Sequence, residues 1–217
     1  MKKRDSLVVW MVLLMGTTLF GQESLTSGVV SSKADGWNPE PGFVSLFNGK
    51  DLSGWCFRAK TARREPKAGA VIENFEGKTA SDSDGRYSVQ DGILTVRFPE
   101  ESDRLTGQLY TVAEFPENFV LKLEFRASVK ADSGIFIRKP QLQCRDYLVA
   151  GPYNELKKYK PQDWNQIEVT VNDGVARCTC NGEVLEETLQ LPETGPIGLE
   201  GDFGQMEYRH IQLKKLP

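Results

Sequence analysis

From Gly42 onward the chain alternates apolar and polar positions with a period of two, broken at short intervals by turn-forming pairs. The longest run is NFVLKLEFRAS, in which Phe119, Leu121, Leu123 and Phe125 alternate with Val120, Lys122, Glu124 and Arg126. That period puts one set on a buried face and the other on an outer face of a strand. Shorter runs are punctuated by Asn48-Gly49, Asp91-Gly92, Asp173-Gly174 and Asn181-Gly182. Asn, Asp and Gly tolerate the positive φ of tight primed turns, so each pair predicts a hairpin. Long helical periodicity is absent, the best candidate being a turn or two around NELKKY. Many short strands in hairpins predict an all-β fold, an antiparallel β-sandwich of jelly-roll type. Arg58 to Arg86 lacks the rhythm and is expected to be a long surface loop; its DSDG resembles the start of a calcium loop but lacks the later Glu ligand.

Two strands carry polar rows that could be more than a wet face. In GIFIRKPQLQCRDY, Ile135, Ile137, Leu142 and Cys144 are expected inside. Phe136, Arg138, Gln141, Gln143, Arg145 and Tyr147 are expected outside. In GPIGLEGDFGQMEY, Ile197 and Leu199 face inward, which places Glu200 and Asp202 together on the other face. Two carboxylates at i and i+2 can divide base and acid work if their surroundings separate their pKa values. The plain alternative is a solvated outer face, the default for antiparallel sheets. Arg, Gln and aromatic side chains nevertheless form the kit that holds a sugar's hydroxyls and stacks on its apolar side.

Composition narrows the chemistry. The 217 residues are 39% hydrophobic and 26% charged with a net charge of -3, which suits one soluble domain and offers no basic footprint for nucleic acid. The one histidine, His210, cannot build a multi-His metal centre, and its place near the chain end suits a structural or exposed role. No GxSxG elbow, Walker loop or HExxH occurs.

Lys2, Lys3 and Arg4 precede an apolar run from Leu7 to Phe20, the pattern of a secretory signal over residues 1–22. The run is shorter than the ~20 apolar residues that span a bilayer, so cleavage without stable membrane insertion is expected, with the mature chain secreted or periplasmic. Residues 23–41, rich in Ser, Gly and Pro, read as a linker, and 42–217 as the domain. Cys56, Cys144, Cys178 and Cys180 read first as small buried hydrophobes, with pairing of one of the last two to Cys144 or Cys56 left open. They lack the spacing of a zinc site.

Several motifs together resemble the 3-keto-disaccharide hydrolase domain family: GFVSLFNGKDLSGW, YSVQDGIL, FVLKLEFR, DSGIFIR, WNQIEVTVNDGVARCTCNGE and GPIGLEGDFGQMEYRHIQLKKL. The resemblance implies a concanavalin A-like sandwich that cleaves glycosides oxidised at C3, and a carbohydrate as ligand or substrate. It implies a cleft shared by the row from Arg138 to Gln143 with Glu200 and Asp202. Asp202 is then the base and Glu200 its assisting acid or hydrogen-bond partner. Arg138 becomes the donor to enolate charge and Gln143 a hydroxyl clamp, with Phe136 and Gln141 as further sugar contacts and Tyr153 and Trp164 as rim aromatics. Gln141 stands where the family usually has Glu, and an amide cannot act as a base. No cofactor is called for, and a divalent metal remains possible. The alternative is a non-catalytic carbohydrate-binding or adhesion module.

Overall fold

The computed structural model describes residues 36–59, 70–75, 81, 85–97, 107–148 and 155–217. The expected signal, most of the linker and the first three residues of DSDG lie outside them. Among the described residues there are strands and no helix, and none long and apolar enough to cross a membrane.

The strands in chain order are β1 Val44–Ser45, β2 Trp55–Ala59, β3 Val71–Asn74, β4 Tyr87–Gln90, β5 Ile93–Val96, β6 Gly107–Thr111 and β7 Phe119–Ala127. They continue as β8 Gly134–Ile137, β9 Gln141–Gln143, β10 Asn165–Asn172, β11 Val175–Cys180, β12 Glu183–Gln190, β13 Ile197–Leu199 and β14 Met206–Lys215. One sheet runs β12-β11-β10-β7-β14-β5-β4, with β1 also paired to β14; the other runs β3-β2-β6-β13-β8-β9. All pairings are antiparallel. The all-β sandwich expected from the alternation is the observed fold.

Three of the turn pairs close hairpins as expected. Asp91-Gly92, Asp173-Gly174 and Asn181-Gly182 all take positive φ, at 51° and 81°, 47° and 76°, and 49° and 81°. They join β4 to β5, β10 to β11 and β11 to β12. Asn48-Gly49 behaves differently. Its Asn48 Oδ1 accepts the N–H groups of Lys50 and Asp51, turning the chain between β1 in one sheet and β2 in the other. Trp55 just beyond is fully buried and donates its indole N–H to the Leu46 carbonyl at 3.0 Å.

The core lies between the sheets, and β7 supplies its clearest row: Phe119, Leu121, Leu123 and Phe125 are buried against Ile135, Ile137, Leu142, Ile197 and Leu199 of the other layer. Each such side chain stabilises the fold by about 1.5–3 kcal/mol relative to exposure. The four cysteines are free and buried, so they pack as small hydrophobes. Two expectations are corrected. The stretch from Arg58 to Arg86 is not one loop, because Arg58 and Ala59 complete β2, Val71–Asn74 form β3, and Arg86 is fully buried near the Phe57 ring. Around NELKKY, Glu155 to Tyr159 form a turn, held by the Glu183 carboxylate accepting the N–H groups of Lys157 and Lys158.

Candidate active site

The outer face of the six-stranded sheet is assembled by register. Ile197 pairs with Ile137 and Leu199 with Ile135, all facing the core, so Gly198 and Phe136 between them face outward. Gly198 also pairs with Tyr110, Gly134 with Gln143 and Phe136 with Gln141, which brings these outward positions onto one surface. Two glycines form its floor. A Cβ at Gly198 would lie 2.4 Å from Tyr110 Cε1 and 3.1 Å from Phe136 Cβ. At Gly134 it would meet the Gln141 side chain at 2.2 Å. Only glycine lets the two rings, 5.5 Å apart, and the amide lie down on the sheet.

Glu200 is the carboxylate of this face. It follows β13 directly and is 6% exposed. Its N–H donates to the Gly134 carbonyl at 2.9 Å, and its own carbonyl accepts the Ser133 hydroxyl at 2.5 Å. Gln141 Nε2 donates to Glu200 Oε2 in a very short contact. Behind it, Gln143 Nε2 reaches Gln141 Oε1 and Arg145 Nη1 reaches Gln143 Oε1, each at 3.4 Å, while Arg145 is paired with Asp132 at 3.3 Å. The row of side chains therefore ends on the carboxylate and orients it. On the other side stands Tyr110, whose phenol is pushed up to about 12, first by burial and then by the charge of Glu200, against a lowering by Arg58. Tyr110 is thus a neutral hydrogen-bond donor beside an acceptor. The Arg58 guanidinium lies 5.9 Å from the Tyr110 ring centroid.

The expected site residues separate into two groups. Phe136, Gln141, Gln143 and Glu200 come together. Asp202, half-buried and past the end of β13, makes no hydrogen bond or ion pair among the described residues. Arg138 does not join them. Strand β8 ends at Ile137 and Arg138 takes a positive φ of 62°, so alternation stops one residue before it. Its buried guanidinium donates to the carbonyls of Phe115, Glu117 and Pro192, all at 2.8 Å, and lies 5.6 Å from the Phe119 ring centroid. Those bonds commit it to tying loops together at the far end of β8. Tyr147, expected outside, is fully buried against Phe125 and Tyr159, because β9 ends at Gln143 and the alternation ends with it.

Trp164 belongs to the opposite face of the molecule. It precedes β10, whose Asn165 pairs with the core-facing Phe125, so Trp164 points outward from the eight-stranded sheet. There it packs beneath Arg126 and Arg209. Tyr153 lies outside the described residues. Sequence reasoning missed Tyr110, Arg58 and Gln108; alternation around Leu109 in GQLYT was the signal that could have found the first and last. Among the described residues no group of three or more His, Cys, Asp or Glu side chains gathers to hold a metal ion.

Fold and face together define an antiparallel sandwich with a polar, glycine-floored outer surface. Residues 42–214 match the 3-keto-alpha-glucoside-1,2-lyase-like domain, and the chain belongs to that carbohydrate-active family. Among solved structures it is similar to a protein from Parabacteroides distasonis described as a candidate glycosyl hydrolase. The identity is 18% over 81% of this chain and 95% of that one, with a TM-score of 0.58. A second such structure from that organism shows 20% identity over 63% of this chain and 93% of that one, with a TM-score of 0.49. Among curated proteins none matches the chain.

Proposed function

We propose that this domain cleaves glycosides carrying a ketone at C3, by elimination across C1 and C2 followed by addition of water, with Glu200 as the base. A C3 ketone acidifies the C2 hydrogen. Glu200 takes that proton, and the C2–H electron pair forms C2=C3 while the carbonyl π pair moves onto the C3 oxygen as an enolate. The enolate then collapses: C3=O re-forms, C1=C2 forms, and the C1–O bond breaks with its pair leaving on the departing oxygen, which takes up a proton. Water adds back across C1=C2, its oxygen to C1 and a proton to C2. Such chemistry needs a positioned base and neutral donors for the developing negative charge.

The observation that carries this reading is Glu200 itself, a nearly buried carboxylate oriented by Gln141 and flanked by the protonated phenol of Tyr110. Glu200 suits the base role better than Asp202 because it is the carboxylate held on the glycine-floored face. The amide at Gln141 is then an orienting group for the base. Tyr110 donates to the departing oxygen, and Phe136 and Gln143 contact the sugar. A secreted or periplasmic setting for this activity follows from the signal pattern of residues 1–22. Incubation of the purified protein with a 3-keto-disaccharide should release a free sugar and 3-keto-glucose or its unsaturated precursor. Binding of the disaccharide without release would instead support the non-catalytic module.

A further inference from the structure

The enolate oxygen in this scheme needs a donor, and Arg138 is spent elsewhere. Gln108, in the middle of the same sheet, has an unused one. It pairs with Arg58 across β2 and β6 and sits two residues from Tyr110 on the same strand, so it shares their outward face. The residue is completely buried, and among the described residues its amide nitrogen has no hydrogen-bond partner. Its amide oxygen, by contrast, accepts the N–H of Gly201, the residue after Glu200, at 2.7 Å and the Tyr87 hydroxyl at 2.9 Å.

Those bonds decide which way the amide points. The Gly201 N–H can only donate, so it must face the oxygen, and a flipped amide would set donor against donor. The nitrogen is therefore turned away from Gly201 and held there empty. An unpaired buried donor costs about 1–3 kcal/mol, and such exceptions call for an explanation. Arg126, Arg209 and Trp164 on the other sheet, where the polar side chains satisfy one another, show that this fold can close a polar network when nothing else is asked of it.

Resting on the elimination chemistry above, we propose that Gln108 is the donor that binds the substrate oxygen on which negative charge gathers when Glu200 removes the proton. Preorganised by Gly201 and Tyr87 and kept from water, it costs no reorganisation at the moment of reaction, the condition in which such donors count most. The Tyr87 oxygen lies 2.9 Å from the Leu199 carbonyl as well, so its single hydroxyl proton is shared between that carbonyl and the Gln108 oxygen, which ties the donor and the base to the same strand end. Arg58, directly across from Gln108, is the neighbour that yields to admit the ligand. Its guanidinium is held by a 3.4 Å bond to the weak acceptor Cys56 Sγ and by a 3.5 Å contact to the Thr111 carbonyl, the latter at the long limit for a hydrogen bond to oxygen.

The test is Gln108→Glu, which keeps an acceptor for Gly201 and Tyr87 and removes the amide donor, beside Gln108→Met, which is neutral and of similar length. With folding checked by circular dichroism and thermal midpoint, each folded variant should show kcat on a 3-keto-disaccharide reduced about 10²- to 10³-fold. KM should be nearly unchanged, as for a group acting only in the transition state. The ratio of Gln108→Glu to wild-type activity should also rise as pH falls, because the protonated carboxyl is again a donor. A folded variant of either kind with wild-type kcat overturns the proposal while leaving Glu200 as the base. Loss confined to stability, with kcat per folded molecule intact, overturns it equally. A folded wild-type protein that does not act on the substrate removes the elimination reading and Gln108's role with it.

Discussion

The two outer faces of the sandwich use the same residue types to opposite ends. On the eight-stranded sheet, Arg126 pairs with Glu207 at 2.5 Å and Arg209 with Glu124 at 2.7 Å. Both guanidinium groups lie over Trp164, 4.8 and 4.0 Å from its ring centroid. His210 joins Glu124 at 3.2 Å and stacks on Trp37 at 4.5 Å, so that the end of the expected linker is pinned to the sheet. Arg126, Arg209, Glu124 and Glu207 there each have a counter-charge, and the Trp164 ring is covered by the two guanidinium groups. On the six-stranded sheet the carboxylate of Glu200 is held by an amide, burial raises the pKa of the neighbouring phenol, and among the described residues one buried amide nitrogen has no partner. A closed polar network stabilises; an open one is poised to bind. Residue type alone does not separate the two, whereas the accounting of donors and acceptors does.

The contrast can be broken from either side. The largest effect after the base and its donor should come from the floor of the site: Gly198→Ala drives a methyl into the Tyr110 ring, 2.4 Å away, and should lower kcat/KM about 10- to 100-fold through misplacement of the phenol, measured on a 3-keto-disaccharide. Arg138→Ala should act only on stability. It strips charged donors from the carbonyls of Phe115, Glu117 and Pro192, and a urea titration should show a loss of about 3 kcal/mol with kcat per folded molecule intact. Trp164→Ala, on the closed face, should cost about 1–2 kcal/mol by the same titration and leave turnover unchanged. If instead Trp164→Ala abolished turnover while the fold survived, the division of labour between the faces would be wrong.

Alternation along single strands was the part of this architecture open to reading from sequence. It found the core row of β7, three hairpin turns, and the outward set Phe136, Gln141, Gln143 and Glu200. Its failures share a physical cause. Period two holds only while the backbone stays extended, and Arg138 leaves that region at φ 62°, so one left-handed residue moved a guanidinium from the site to the loops. Alternation also says which residues share a face of one strand, but not which sheet the strand joins. The resemblance offered Trp164 as a rim aromatic, and nothing in its own stretch could show that it lies on the other sheet. Tyr110 and Gln108 lie in a short strand between stretches of weak pattern, and their value depends on partners more than eighty residues away: Glu200 for the one and Gly201 for the other. No local pattern carries that information.

The central claim is that Glu200 removes the proton from C2 on the glycine-floored face. Following deuterium from solvent into C2 of a 3-keto-glycoside by NMR tests it directly, with wild type and Glu200→Gln compared side by side. Wild type should catalyse incorporation into substrate or product at C2. Glu200→Gln, folded and still able to bind the sugar, should slow both incorporation and release by about 10²- to 10⁴-fold, the loss expected when a general base is removed. Undiminished incorporation by Glu200→Gln, or cleavage by wild type with no deuterium at C2, would contradict it.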